Sequence, residues 1–106
     1  MRILFDQGTP VPLRQILTSH QVETAFERGW STLSNGDLLA AAGQEGFEVF
    51  VTTDKNLRDQ QNLGGLRIAI VVLSSTSWPR IQKAAVAVKQ AIDAALPGSF
   101  KEVDTP

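Results

Sequence analysis

The segment RIAIVVL at residues 67–73 constrains the fold more than any other. After Arg67 it is apolar at every position. Successive side chains of a strand point to opposite faces. A strand with no polar alternate is therefore covered on both sides, the mark of a parallel sheet flanked by helices. FEVFVTT at 47–53 reads as a second strand, with the aromatic and β-branched pair Phe50-Val51 at its centre. Residues 2–6 give a third, and Val22–Ala25 a weaker fourth.

Helical patterns alternate with these strands. Pro10–Leu17 carries Leu13, Ile16 and Leu17 at helical spacing, with Thr9 as the expected N-cap and Pro10 at the first helical position. Asn35 is the expected N-cap of a helix running to Glu45, with Leu38, Leu39 and Ala42 as its buried face and Gly46 as its stop. Lys55–Asn62 reads as one or two helical turns before a turn at Gly64-Gly65. Ser77 caps a long helix with Pro79 in its first turn; Trp78, Ile81, Ala85, Val88, Ile92 and Ala95 form one apolar stripe, and Pro97-Gly98 ends it. Residues 98–106, with Phe100–Val103 at their centre, read either as a final edge strand or as a tail. The alternation predicts a single α/β domain over 1–106, an open sheet with helices on both faces.

Composition narrows the chemistry. The chain has no cysteine and one histidine, His20, which excludes a disulfide framework, a thiolate zinc site and a multi-histidine metal site within one chain. A net charge of -1 gives no global basic field, so any contact with nucleic acid is local. No apolar run approaches the roughly 20 residues of a membrane-spanning helix. Met1-Arg2 leads straight into a strand, so the expectation is a cytoplasmic chain with no leader and no membrane contact.

The acids then acquire meaning. In open parallel sheets, function gathers outside the carboxyl ends of the strands, where strand order reverses. Asp6 ends the first strand, Asp54 follows the third, and Asp37 lies in the first turn of a helix that starts on the same edge. Each has a local explanation: an Asx-turn before Gly8 for Asp6, a helix-dipole complement for Asp37, a cap for Asp54. Together they repel one another unless a cation sits among them, and Mg²⁺ or Mn²⁺ takes oxygen ligands. Gln7, Thr53 and Asn56 offer neutral oxygens or supporting hydrogen bonds. Lys55 and Arg58 flank Asp54 and suit a phosphodiester; Ser74, followed by Ser75 and Thr76, ends the fourth strand on the same edge. Trp30 reads either as a packing residue at the sheet edge or as a base-stacking one.

FDQGT at 5–9 resembles the opening of the haloacid-dehalogenase phosphatases but lacks their second Asp. A two-component receiver would need an acidic pair after the first strand and a Lys after a fifth, and neither is visible. A closer resemblance rests on four segments: ILFDQGTP with Leu13-Arg14, GWSTLSNGDLL at 29–39, FEVFVTTDKNLRDQQNL at 47–63, and RIAIVVL. Their order is similar to that of the short bacterial PIN-like proteins. These form a domain-of-unknown-function family related to the Mut7-C exonuclease domain and, more remotely, to VapC-type toxins. The resemblance covers residues 2–96, and VTTDKNL at 51–57 is its most specific part.

That resemblance implies a PIN-like three-layer α/β/α sandwich with a central, mostly parallel four- to five-stranded sheet. It implies a metal-dependent endoribonuclease that hydrolyses phosphodiester bonds with Mg²⁺ or Mn²⁺. Asp6 matches the first-strand acid, Asp37 the helix acid and Asp54 the acid after Thr-x, all three catalytic and metal-holding. The family's fourth acid has no good match, Asp59 being the nearest. The implied setting is a toxin of a toxin–antitoxin pair, with RNA as substrate and a small antitoxin protein over the acidic rim. The stripe on the last helix offers a homodimer face if it is wider than the sheet covers. The alternative is a non-catalytic PIN-like module that binds a protein partner or RNA.

Overall fold

The computed structural model describes residues 1–57 and 67–106. Along the chain run β1 (Arg2–Phe5), a 3₁₀ helix (Val11–Ile16), β2 (Gln21–Thr24), α1 (Asn35–Gln44), β3 (Val49–Thr52), β4 (Ala69–Leu73), α2 (Trp78–Lys83), α3 (Ala85–Asp93) and β5 (Phe100–Val103). The strands form one five-stranded sheet in the order β2-β1-β3-β4-β5, and every pairing is parallel. The C-terminal segment is thus an edge strand, with Ile70 opposite Phe100 and Leu73 opposite Val103.

β4 is buried at every position, as its unbroken apolar sequence requires. Alternation along the three central strands divides their side chains between two clusters. Ile3, Phe5, Val49, Val51, Ala69, Val71 and Leu73 pack with Leu13 of the 3₁₀ helix, Leu17, Ile81 of α2 and Val88 and Ile92 of α3. Leu4, Phe50, Ile70 and Val72 pack with Leu38, Leu39 and Ala42 of α1, and with Leu57. Each large side chain so buried contributes about 1.5–3 kcal/mol relative to exposure.

The structure departs from the sequence reading mainly at helix ends. The helix expected from Pro10 is a 3₁₀ helix over Val11–Ile16, and Pro10 itself stays in extended backbone, at ψ 127°, ahead of it. Thr9 does not cap it; no side chain does. α1 is capped by Ser34, whose hydroxyl accepts the Asp37 N–H at 3.3 Å, so Asn35 lies inside the helix rather than at its cap. Gly46, at φ 80°, stops α1 as expected. The long C-terminal helix divides at Ala84, whose N–H reaches the Ile81 carbonyl at 3.0 Å and tightens one turn. The apolar stripe survives this break, since Ile81, Val88 and Ile92 remain in one cluster. Ser77 occupies the N-cap position of α2 without a side-chain cap bond. Of the turns expected over Lys55–Asn62, the part beyond Leu57 lies outside the described residues, as do Arg58, Asp59 and Gly64-Gly65. Among the described residues no helix is long and apolar enough to cross a membrane.

Candidate functional site at the carboxyl edge of the sheet

The chain passes from β1 outward to β2, then returns to place β3 on the other side of β1. Strand order therefore reverses between β1 and β3, where doubly wound sheets open a crevice. Asp6 follows β1 directly, and Asp54 stands two residues beyond β3.

Asp6 is only 5% exposed. Its N–H bonds the Val51 carbonyl at 3.1 Å, which continues the β1–β3 ladder one residue past the strand. Thr9 Oγ1 donates to Asp6 Oδ1 at 2.6 Å, and Thr52 Oγ1 donates to Oδ2 at 2.5 Å. A buried carboxylate accepts only, so a hydroxyl donor on each oxygen offsets its lost hydration. Thr52 is wholly buried, and its hydroxyl accepts the Asp54 N–H at 3.0 Å. One hydroxyl thus joins the two acids.

Asp54 is fixed from both sides. Its Oδ1 accepts the Asn56 N–H at 3.0 Å, closing an Asx-turn, and its Oδ2 accepts from Asn35 Nδ2 at 3.0 Å. Gln7 Nε2 donates to the Ser31 carbonyl, tying the loop after β1 to the loop before α1. Gly8 passes so close to β3's exit that a Cβ there would lie 2.4 Å from Thr53 Oγ1. Asp6, Gln7, Gly8, Asn35, Thr53 and Asp54, with Ser31, Leu33 and Leu38, line one open pocket of about 350 Å³.

The structure brings together Asp6, Asp54, Gln7 and Thr53 among the residues expected at the site. It does not bring Asp37 to them. Asp37 is exposed and absent from the pocket lining. Asn35, two residues earlier, faces Asp54 instead, and two residues rotate a helix by about 200°. Among the described residues no group of three His, Cys, Asp or Glu side chains is placed to hold a metal ion. Asn56 serves through its backbone. Lys55 and Ser74 line a different pocket, of about 310 Å³, with Val72, Glu102, Val103 and Asp104. There Ser74 Oγ accepts the Thr105 N–H at 2.7 Å and donates to Asp104 Oδ1 at 3.3 Å. Arg58 and Asp59 lie outside the described residues.

Thr52, Thr9, Asn35 and Asp104 were missed as site or edge residues. The Thr-x-Asp spacing marks Thr52, and Asp-x-x-Thr marks Thr9 as a turn partner of Asp6. Trp30 is a packing residue: its ring meets Phe47 edge-on at 6.2 Å, and the Arg28 guanidinium covers it at 4.7 Å.

Comparison of the chain with protein-family models, with curated proteins and with solved structures gives no match. Fold and edge geometry define an α/β protein built on a five-stranded, all-parallel sheet, with the Asp6 carboxylate tied through Thr52 to the backbone of Asp54 at its switch point.

Proposed function

We propose that the pocket between β1 and β3 is the site of a metal-dependent ribonuclease of PIN-like type, in a three-layer α/β/α domain. The observation that carries this reading is the pair Asp6 and Asp54, delivered from two strands to one pocket and joined through Thr52. The donor set fits a hard cation: two carboxylates, the amide of Asn35 and the hydroxyl of Thr53 all offer oxygen. Each carboxylate oxygen has two lone-pair directions, so the hydrogen bonds from Thr9, Thr52 and Asn35 leave capacity on Asp6 and Asp54.

In this reading Asp6 and Asp54 hold Mg²⁺ or Mn²⁺. A bound cation supplies charge opposite the scissile phosphate and acidifies the attacking water. Thr9 and Thr52 fix the rotamer of Asp6, and Asn35 fixes that of Asp54. Asn35 takes the place assigned to Asp37 by the sequence. Lys55, exposed beside Asp54, suits the flanking phosphodiester. The biological setting proposed is a cytoplasmic toxin held by a small antitoxin protein over this rim, with a homodimer as its assembly. Cleavage of RNA in Mg²⁺ or Mn²⁺, abolished in Asp6→Asn and Asp54→Asn proteins that still fold, tests it. Equal cleavage by wild type and both variants contradicts it.

A second reading, a non-catalytic PIN-like module that binds protein or RNA, is favoured by one feature. Both oxygens of Asp6 already have donors, so its charge is accommodated without a cation.

A further inference from the structure

Among the described residues, Phe26 is the most exposed large apolar side chain, at 79%. It stands in the turn after β2, and that turn is firmly held. The Ala25 N–H bonds the Phe5 carbonyl at 2.9 Å. Thr24 and Glu27 bond each other reciprocally, the Thr24 N–H to Glu27 Oε1 at 2.9 Å and the Glu27 N–H to Thr24 Oγ1 at 3.1 Å. Arg14 grips both oxygens of Glu27, at 2.7 and 3.1 Å. The phenyl ring is therefore presented outward from a fixed base, while Trp30, four residues on, is packed.

A single exposed apolar residue needs no explanation. Phe26 is not single. With Val11, 54% exposed, it lines a pocket of about 250 Å³ that also includes Asp6, Gln7 and Ser31. Those three residues line the acid pocket too. The two pockets therefore adjoin at Asp6, Gln7 and Ser31, with the acids on one side and the exposed Phe26 and Val11 on the other.

We infer that Phe26 stacks on an unpaired base of a single-stranded RNA whose phosphodiester lies at Asp6 and Asp54; this rests on the metal-nuclease reading. A polynucleotide presents a phosphate and a flat base side by side, matching the two adjoining pockets. Every base has a π-face, so a phenyl ring accepts any of them. Bases within a duplex are already stacked and paired, so the wall selects single strands.

The test measures binding of a short fluorescein-labelled single-stranded RNA, and of the same strand in a duplex, to the full chain. Ca²⁺ replaces Mg²⁺ so that the strand stays whole. Wild type is expected to prefer the single strand. Phe26→Ala should lose about 5- to 150-fold in affinity, the range for replacing the aromatic partner of one stacked base by alanine. Phe26→Trp should restore it. Melting temperature and Mn²⁺ affinity should be unchanged in both, since the ring carries little packing. RNA binding by Phe26→Ala equal to wild type, equal affinity for the duplex, or no RNA binding by wild type overturns the inference, the last turning the wall into a protein-docking surface. Failure of the metal reading shows separately, as wild type that binds no Mn²⁺.

Discussion

The Thr52 hydroxyl donates to Asp6 Oδ2 at 2.5 Å and accepts the Asp54 N–H at 3.0 Å. Asp6 and Asp54 are 48 positions apart in the chain (54 less 6), yet one buried hydroxyl joins the carboxylate of the first to the backbone of the second. Thr52→Val keeps the shape and removes the hydroxyl. It should cost about 1.5–3 kcal/mol, because a buried charged acceptor loses its donor. Urea denaturation measures this; Thr52→Ser should recover most of it, and a Val variant as stable as wild type would refute the link.

Gly8 matters for space rather than for backbone freedom. An alanine Cβ there would meet Thr53 Oγ1 at 2.4 Å. Gly8→Ala should destabilise by about 1–3 kcal/mol, and Thr53→Ala in the same chain should relieve most of that. Additive losses in the double variant would show that the two loops do not touch.

Asn35 and Asp37 can be told apart by metal affinity. Asn35→Ala removes the amide that orients Asp54, and Mn²⁺ affinity should fall about tenfold. Asp37→Asn, outside the pocket, should leave it unchanged. Calorimetry on the two variants gives the ranking, and the reverse order would restore Asp37 to the site.

The turn that carries Phe26 should loosen in acid. The Arg14 hydrogen bonds hold the Glu27 carboxyl below the ordinary glutamate range, with the Thr24 backbone N–H second. A carboxyl whose folded value is depressed stabilises the fold above its unfolded value, about 4.3, and loses that contribution as pH falls through the lower folded value. Wild type should therefore lose more thermal stability than Glu27→Gln between about pH 5 and pH 3. The difference should be small, since the pair is partly exposed. Parallel melting curves at both pH values would remove Glu27 from the account.

The sheet was legible because its signal is local. β4 and β3 announce burial on both faces within a few residues, and alternation assigns each side chain to a cluster. Helix ends were harder because a polar residue can satisfy a near partner or a distant one. Thr9 and Asn35 both looked like caps, and both spend their side chains on carboxylates of the site. The buried face of α1, Leu38, Leu39 and Ala42, is the one the sequence predicts, and Asn35 and Asp37 differ by about 200° around it, so only the one that bonds Asp54 reaches the site.

Mn²⁺ binding to wild type and to Asp54→Asn, by calorimetry with melting temperature followed in parallel, tests the central claim most directly. The account predicts binding to wild type, a loss of more than about tenfold in the variant, and folding retained in both. No binding by wild type at millimolar Mn²⁺, or equal binding by the variant, would contradict it.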